Sequence, residues 1–313
     1  MTRPDILQLG GYPDWDQVPL AAAFTLHRHD LAADKPALLA QVGPHIRAIA
    51  THGGLGASAA IIAACPKLEI IAVYGVGYDA VDLPACRARG IHVTNTPEVL
   101  TGDVADLAVG MLLAQARRMV AAEAWARSGD WAAKGGFPLT RRVFGMRAGI
   151  LGLGRIGLAV GQRLAAFDMD IAYSAQSPKP VDWTYIPDPV ALAARSDVLF
   201  VTLAASAATR HIVNAKVIKA LGPEGIIVNV SRAANIDEAA LLDALETGAL
   251  GGAALDVFEG EPALNPRFRT LPNVLLQPHI GSGTFLARRA MGQVMRDNLT
   301  AHFAGQPLLT PVR

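Results

Sequence analysis

Three residues whose types could share one reaction follow short apolar runs in the second half of the sequence. Arg232 follows Ile226–Ser231, Glu261 lies in Asp256–Pro262, and His279 follows Leu275–Pro278. Singly, each has an ordinary explanation: an Arg is usually solvated, a Glu usually sits on the surface, and a His is more often structural than catalytic. Together they fit one mechanism. Arg presents a fixed fork to a carboxylate. His can give a proton to a carbonyl oxygen as hydride reaches the carbon, and a nearby carboxylate favours its imidazolium form. The chemistry implied is reduction of a 2-oxo acid to a 2-hydroxy acid, or the reverse. Residues at the carboxyl ends of parallel strands share one sheet edge, where ligands of such sheets bind.

A hydride needs a donor, and Gly149-Ile150-Leu151-Gly152-Leu153-Gly154-Arg155-Ile156-Gly157 supplies the place for one. Glycine accounts for 30 of 313 residues, so three spaced glycines alone carry little weight. Their context carries more. A short apolar strand, Ala148–Leu151, precedes them. A helix follows with Ile156, Val160, Leu164 and Phe167 on one face, and a second strand, Asp170–Ser174, arrives at the expected distance. Gly152 permits a tight turn, Gly154 admits a pyrophosphate, and Gly157 lets helix pack on strand. The first turn of the helix, with Arg155 and Ile156, offers free N–H groups.

An NAD-preferring site places an acid at the end of the second strand to accept from the ribose hydroxyl. Here that strand ends Tyr173-Ser174-Ala175-Gln176-Ser177-Pro178-Lys179, and Asp168 and Asp170 lie at its other end. Ser174, Gln176, Ser177 and Lys179 could instead donate to a 2′-phosphate. The expectation is NADP(H) as the preferred cofactor, with NAD(H) possible.

The remaining chain alternates strand and helix patterns, which implies α/β architecture with two Rossmann-like, doubly wound parallel sheets. Strands are expected at Ile6–Leu9, Ile46–Thr51, Leu68–Val73 and Ile91–Thr94. In the second half they are expected at Val198–Leu203, Ile226–Val230, Gly252–Asp256 and Val274–Leu276. Thr96 is expected to cap a long helix with Val104, Leu107, Ala108, Met111 and Leu112 on one face. Residues 121–147 are less regular and carry Trp125 and Trp131; they are expected to embrace a second subunit. A last helix should run from about Thr284 to Phe303.

Composition bounds the rest. With 51% hydrophobic and 18% charged residues the chain is globular. A formal net charge of +1 gives no reason to expect a nucleic-acid or membrane partner. No apolar run reaches spanning length, and the N-terminal residues lack a signal-peptide pattern, so a cytoplasmic location is expected. Cys65 and Cys86 show no metal-ligand spacing, and no metal is expected.

The sequence resembles the D-isomer-specific 2-hydroxyacid dehydrogenases. The resemblance rests on Gly75–Asp79, Val104–Ala108, Gly152–Gly157, Asn229–Ala233, Ala254–Phe258 with Glu261-Pro262, and Pro278–Gly281, in the family's order. Within the family it is most similar to glyoxylate/hydroxypyruvate reductases, with 2-ketogluconate reductases close by. The resemblance implies that Arg232, Glu261 and His279 are the catalytic set, with Arg232 and His279 also binding substrate. It implies that Val76 and Gly77 offer backbone N–H groups to the substrate carboxylate. It implies further cofactor contacts at Val104, Leu153, Leu203, Ala204, Thr209, Val230, Ser231, Arg232, Asp256, His279 and Gly281. It implies a homodimer, and a discontinuous substrate-binding domain, 1–98 plus 283–313, beside a dinucleotide-binding domain, 99–282. Two departures stand out: Ala233 replaces the family's usual Gly, and Gln176 stands where NADPH-using members often carry Arg. The competing expectations are a dinucleotide-sensing corepressor-like protein and an NAD-dependent phosphoglycerate dehydrogenase. The loop Thr51–Gly56 lacks the cationic cluster a substrate phosphate would need.

Overall fold

The computed structural model describes residues 3–312. In chain order the elements are β1 (Asp5–Gln8), α1 (Asp14–Ala23), β2 (Thr25–Arg28), α2 (Lys35–Val42), β3 (Ala48–His52), α3 (Ala59–Ala64), β4 (Ile70–Tyr74), α4 (Leu83–Ala88) and β5 (His92–Thr94). Then come α5 (Thr101–Ala116), α6 (Met119–Arg127), α7 (Asp130–Lys134), β6 (Arg147–Leu151), α8 (Arg155–Ala165), β7 (Asp170–Ser174), β8 (Thr184–Tyr185), α9 (Pro189–Arg195) and β9 (Val198–Val201). The chain closes with α10 (Ala215–Leu221), β10 (Ile226–Asn229), α11 (Glu238–Glu246), β11 (Gly252–Leu255), β12 (Val274–Leu276) and α12 (Phe285–Phe303). They form two compact units. One comprises the chain up to Leu100 together with the segment from Thr284, the other Thr101–Gly283.

The first unit holds a five-stranded sheet in the order β2-β1-β3-β4-β5, with every pairing parallel. β4 is buried along its whole length, as an apolar strand covered on both faces must be. The second unit holds a seven-stranded parallel sheet, β12-β11-β10-β9-β6-β7-β8. Its order reverses at β6, so the crevice outside the ends of β6 and β9 is its topological switch point. In the first sheet the reversal falls between β1 and β3. Asp and Ser side chains cap the helices that start these crossovers. Ser58, Asp82, Asp188 and Asp237 each accept from the backbone N–H three residues on, which satisfies donors a helix start otherwise exposes.

Several details differ from the sequence expectations. The polar edge strands β2 and β8 appear where no apolar run marks them. Residues 121–147 are partly helical, in α6 and α7. Thr96 caps nothing: α5 starts only at Thr101. Thr96 is instead buried, its N–H donating to the Gly75 carbonyl at 2.9 Å. Thr284 is the cap of α12 and accepts from Ala287 N–H.

Candidate active site

The glycine turn after β6 is built by backbone demands. Gly152 has φ +103°, and a side chain there would run into the Leu203 backbone. A side chain at Gly157 would meet the Gly152 carbonyl, which also accepts from Thr202 Oγ1 at 2.7 Å. Gly154 is different. It takes an extended conformation, and a Cβ on it would meet nothing within 4 Å. The protein itself does not require glycine there. The open cradle fits a pyrophosphate resting on the backbone, and the start of α8 has no side-chain cap competing for its N–H groups. Gly154→Val is therefore expected to leave the melting temperature within a few degrees. It should raise the NADPH dissociation constant by about tenfold or more, read by fluorescence titration. Gly152→Val should instead fail in thermal melting.

At the end of β7, Ser174 is buried and its hydroxyl donates to the Pro187 carbonyl at 3.0 Å. That proton is committed. Gln176, Ser177 and Lys179 lie exposed on the following loop, held by a bond from Lys179 N–H to Tyr173 Oη at 2.7 Å. Beyond β9, Leu203, Ala204 and Thr209 form one tied loop. Thr209 Oγ1 donates to the Ala204 carbonyl at 2.9 Å, and Asn235 Nδ2 holds the Leu203 carbonyl at 2.9 Å.

Three adjacent strands, β10, β11 and β12, deliver the expected catalytic residues. After β10, Asn229 Oδ1 accepts from Ser231 N–H at 3.0 Å and Ser231 Oγ at 2.8 Å. Its Nδ2 donates to the Arg232 carbonyl at 3.1 Å. This side-chain turn fixes Val230, Ser231 and Arg232. Asn235 completes it through Ser231 Oγ at 3.1 Å. Sequence reasoning missed Asn235, which gave no signal within its Ala-Ala-Asn run.

After β11, the loop from Asp256 folds back so that Glu261 Oε1 accepts from Phe258 N–H at 2.8 Å, while Oε2 meets His279 Nδ1 at 2.6 Å. A carboxylate can only accept, so Nδ1 carries the proton shared with Glu261, and Nε2 is the ring nitrogen left for another partner. Burial pushes the Glu261 carboxyl up. The bonds from His279 and Phe258 N–H, with the charges of His279 and Arg232, outweigh it and hold the group below the usual carboxylate range. Glu261 is thus a permanent anion beside a partly exposed imidazole.

His279 itself has φ +55°, uncommon for a residue with a side chain. Buried Asp256 holds the backbone that follows it: Oδ1 accepts from Ile280 N–H at 2.7 Å and Oδ2 from Gly281 N–H at 2.8 Å. Burial raises the Asp256 carboxyl, and the two N–H groups oppose that rise. Gly281 packs closely, since a Cβ there would stand 3.1 Å from Asp256 Oδ2 and 3.3 Å from Val104 Cγ2. Asp256, Gly281 and Val104 therefore share a structural task at this loop.

In the first unit, β4 ends at Tyr74 and Gly75 takes φ +154°. Asn95 Nδ2 holds the Val76 carbonyl at 2.8 Å. Among the described residues the N–H groups of Val76 and Gly77 donate to no backbone carbonyl, and both residues are partly exposed.

Residues 109–281 match the family model for the D-isomer specific 2-hydroxyacid dehydrogenase, NAD binding domain. A hydroxyphenylpyruvate reductase of Plectranthus scutellarioides is 47% identical over 92% of each chain. The crystal structure of a 2-hydroxyacid dehydrogenase from Ketogulonicigenium vulgare Y25 is 69% identical, with a TM-score of 0.94 over 100% of this chain and 99% of that one. An NADPH-dependent glyoxylate/hydroxypyruvate reductase from Sinorhizobium meliloti, solved with NADP and malonate, is 41% identical. Its TM-score is 0.92 over 99% of this chain and 97% of that one.

Proposed function

The chain belongs to the D-isomer specific 2-hydroxyacid dehydrogenases, and on that premise we propose that it reduces hydroxypyruvate and glyoxylate to D-2-hydroxy acids with NADPH. The observation that carries this reading is the 2.6 Å contact between His279 Nδ1 and Glu261, with Arg232 delivered by the neighbouring strand of the same sheet. Bound NADPH supplies the hydride to the carbonyl carbon. Arg232 pairs with the substrate carboxylate, and the N–H groups of Val76 and Gly77 offer it hydrogen bonds. His279 Nε2–H donates to the carbonyl oxygen, which takes the proton as the alcohol forms. Glu261 stabilises the imidazolium before transfer and holds the ring in register. The Sinorhizobium enzyme's use of NADPH and its activity on glyoxylate and hydroxypyruvate support the assignment.

The test is oxidation of NADPH and of NADH by the purified protein with glyoxylate, hydroxypyruvate, 2-ketogluconate and hydroxyphenylpyruvate. The highest kcat/KM is expected with NADPH on hydroxypyruvate or glyoxylate. Equal efficiency with NADH would overturn the cofactor assignment. Tight NADPH binding without turnover would favour a sensing protein.

The NADPH preference rests on the missing acid after β7 and on exposed Gln176, Ser177 and Lys179, since Ser174 has spent its proton. Gln176→Arg should add a bidentate phosphate partner. The ratio of NADPH to NADH kcat/KM is expected to rise by about tenfold or more, since a charge-assisted bond is worth about 1.5 kcal/mol or more.

We also read the segment between α5 and β6 as the face that meets a second copy. Val120, Trp131 and Leu139 along it are 65%, 67% and 101% exposed, large apolar side chains that a partner surface would cover. Sedimentation should give about twice the 32.8 kDa chain mass. Trp131→Asp should shift it toward the monomer.

A further inference from the structure

The Glu261 carboxylate must be held against His279, yet the loop that carries it has little packing to hold it. Residues 259–262 are exposed. Two bonds lie within the loop. Glu261 Oε1 accepts from Phe258 N–H at 2.8 Å, and the Gly260 carbonyl accepts from Ala263 N–H at 3.0 Å. A third bond reaches out of the loop. Glu259 N–H donates to Glu238 Oε2 at 2.9 Å, across 21 residues of sequence.

Glu238 stands on a firm base. It is the first residue of α11, whose Leu241, Leu242 and Leu245 are buried. Asp237 caps that helix by accepting from Ala240 N–H at 3.1 Å, so the Glu238 carboxylate is not needed as a cap. A group fixed on a packed helix is a better anchor than one on a loop. α11 follows the turn that carries Arg232. Glu238 also lines, with Ala233 and Val257, a small cleft between the segments leaving β10 and β11. It therefore ties the strand end that delivers Arg232 to the loop that delivers Glu261. The position does not favour an acid. Burial raises the Glu238 carboxyl above its ordinary value, and the Glu259 charge adds to that rise, against the bond from Glu259 N–H. Perturbed carboxylates of this kind concentrate at functional sites.

We propose that Glu238 is a positioning residue for the reduction: its bond to Glu259 N–H holds the loop so that the Glu261 carboxylate stays on His279 Nδ1. It rests on the reading that His279 gives the proton and Glu261 supports its imidazolium. The 2.6 Å contact between Glu261 and His279 leaves little tolerance, and a shift of about 1 Å caused from outside the reacting groups can cost up to a hundredfold in rate. The acceptor oxygen does the holding, not the charge. Gln can therefore replace Glu238, and an apolar side chain cannot.

The experiment measures kcat and KM for hydroxypyruvate, and the NADPH dissociation constant, in the full-length protein, Glu238→Ala, Glu238→Met and Glu238→Gln. In the Ala and Met variants kcat is expected to fall by about tenfold, with KM and NADPH affinity within about twofold of wild type. Met fills the space and covers the case in which the Ala variant does not fold. Glu238→Gln keeps an acceptor and should stay within about twofold of wild type in kcat. Its melting temperature should not fall, because it removes a charge the fold disfavours. The loss should also depend on Glu261. Added to Glu261→Gln, Glu238→Ala should cost less than about twofold, because no charge is left to place. Unchanged kcat in a folded Ala or Met variant, a Gln variant as impaired as the Ala variant, or a full tenfold loss on top of Glu261→Gln would each overturn the positioning role and leave the reductase reading intact. Wild-type protein that reduces none of the four substrates overturns that reading, and the positioning role with it.

Discussion

His279→Gln is expected to lower kcat for hydroxypyruvate reduction by about a thousandfold, within the range that a positioned general acid contributes. Gln keeps a polar side chain of similar reach but cannot carry a transferable proton. The NADPH dissociation constant should change little, because the loop is held by Asp256 through the backbone of Ile280 and Gly281. A fall in kcat of less than about tenfold would show that another group delivers the proton. Glu261→Gln supplies the pH signature. The Glu261 carboxyl lies below its ordinary value when folded. Its charge is therefore present throughout the pH range above ordinary carboxylate titration and is lost only as pH falls through the lowered value. The wild-type rate should fall on acidification as this carboxylate takes up a proton, and Glu261→Gln, which lacks the charge at every pH, should lose that acid limb. A profile unmoved by Glu261→Gln would reduce Glu261 to a structural contact.

Much of this site was legible because its parts obey local rules. A short apolar run before Gly152 and an amphipathic run after it define the turn, and local sterics explain Gly152 and Gly157. Arg232, Glu261 and His279 each follow a recognisable buried strand, and parallel pairing brings consecutive strands to one edge. What stayed hidden depends on partners distant in sequence. Ser174 looked like a free donor after its strand, yet its hydroxyl bonds to Pro187, thirteen residues on. Asp256 was read only as a ligand contact, and its hold on backbone 24 and 25 residues away was not visible. Asn235 gave no cue at all, because its role appears only when Leu203 and Ser231 reach it. The edge strands β2 and β8 were missed for a different reason. An edge strand is half-solvated and needs no apolar run, and Thr25–Arg28 has no buried residue. The sheet interiors and the apolar edges β5 and β12 could thus be read from hydrophobic pattern, and the polar edges β2 and β8 could not.

Arg232→Leu is the second substitution with a very large expected effect. The side chain is half-buried at the end of β10, and its Nη1 donates to the Ser231 carbonyl at 2.9 Å. The Asn229 turn fixes the backbone that carries it. A substrate carboxylate placed there without the guanidinium would have lost its water and gained no counter-charge. That cost is about 3–5 kcal/mol when one partner of a desolvated ion pair is removed, so kcat/KM should fall by about two to four orders of magnitude. The loss should reside in KM as well as kcat, because the pair forms in the ground state and also orients the ketone. Affinity for oxalate, an inhibitor with the carboxylate but no reducible carbon, should fall in parallel. That parallel fall separates substrate binding from proton transfer. His279→Gln removes a proton donor and should leave much of the oxalate affinity intact, whereas Arg232→Leu should abolish it. Arg232→Lys should recover only part of the loss, because an ammonium restores the charge without the planar fork that fixes the carboxylate. If oxalate bound Arg232→Leu as tightly as wild type, the carboxylate would have to be held elsewhere, with Val76 and Gly77 the next groups to test.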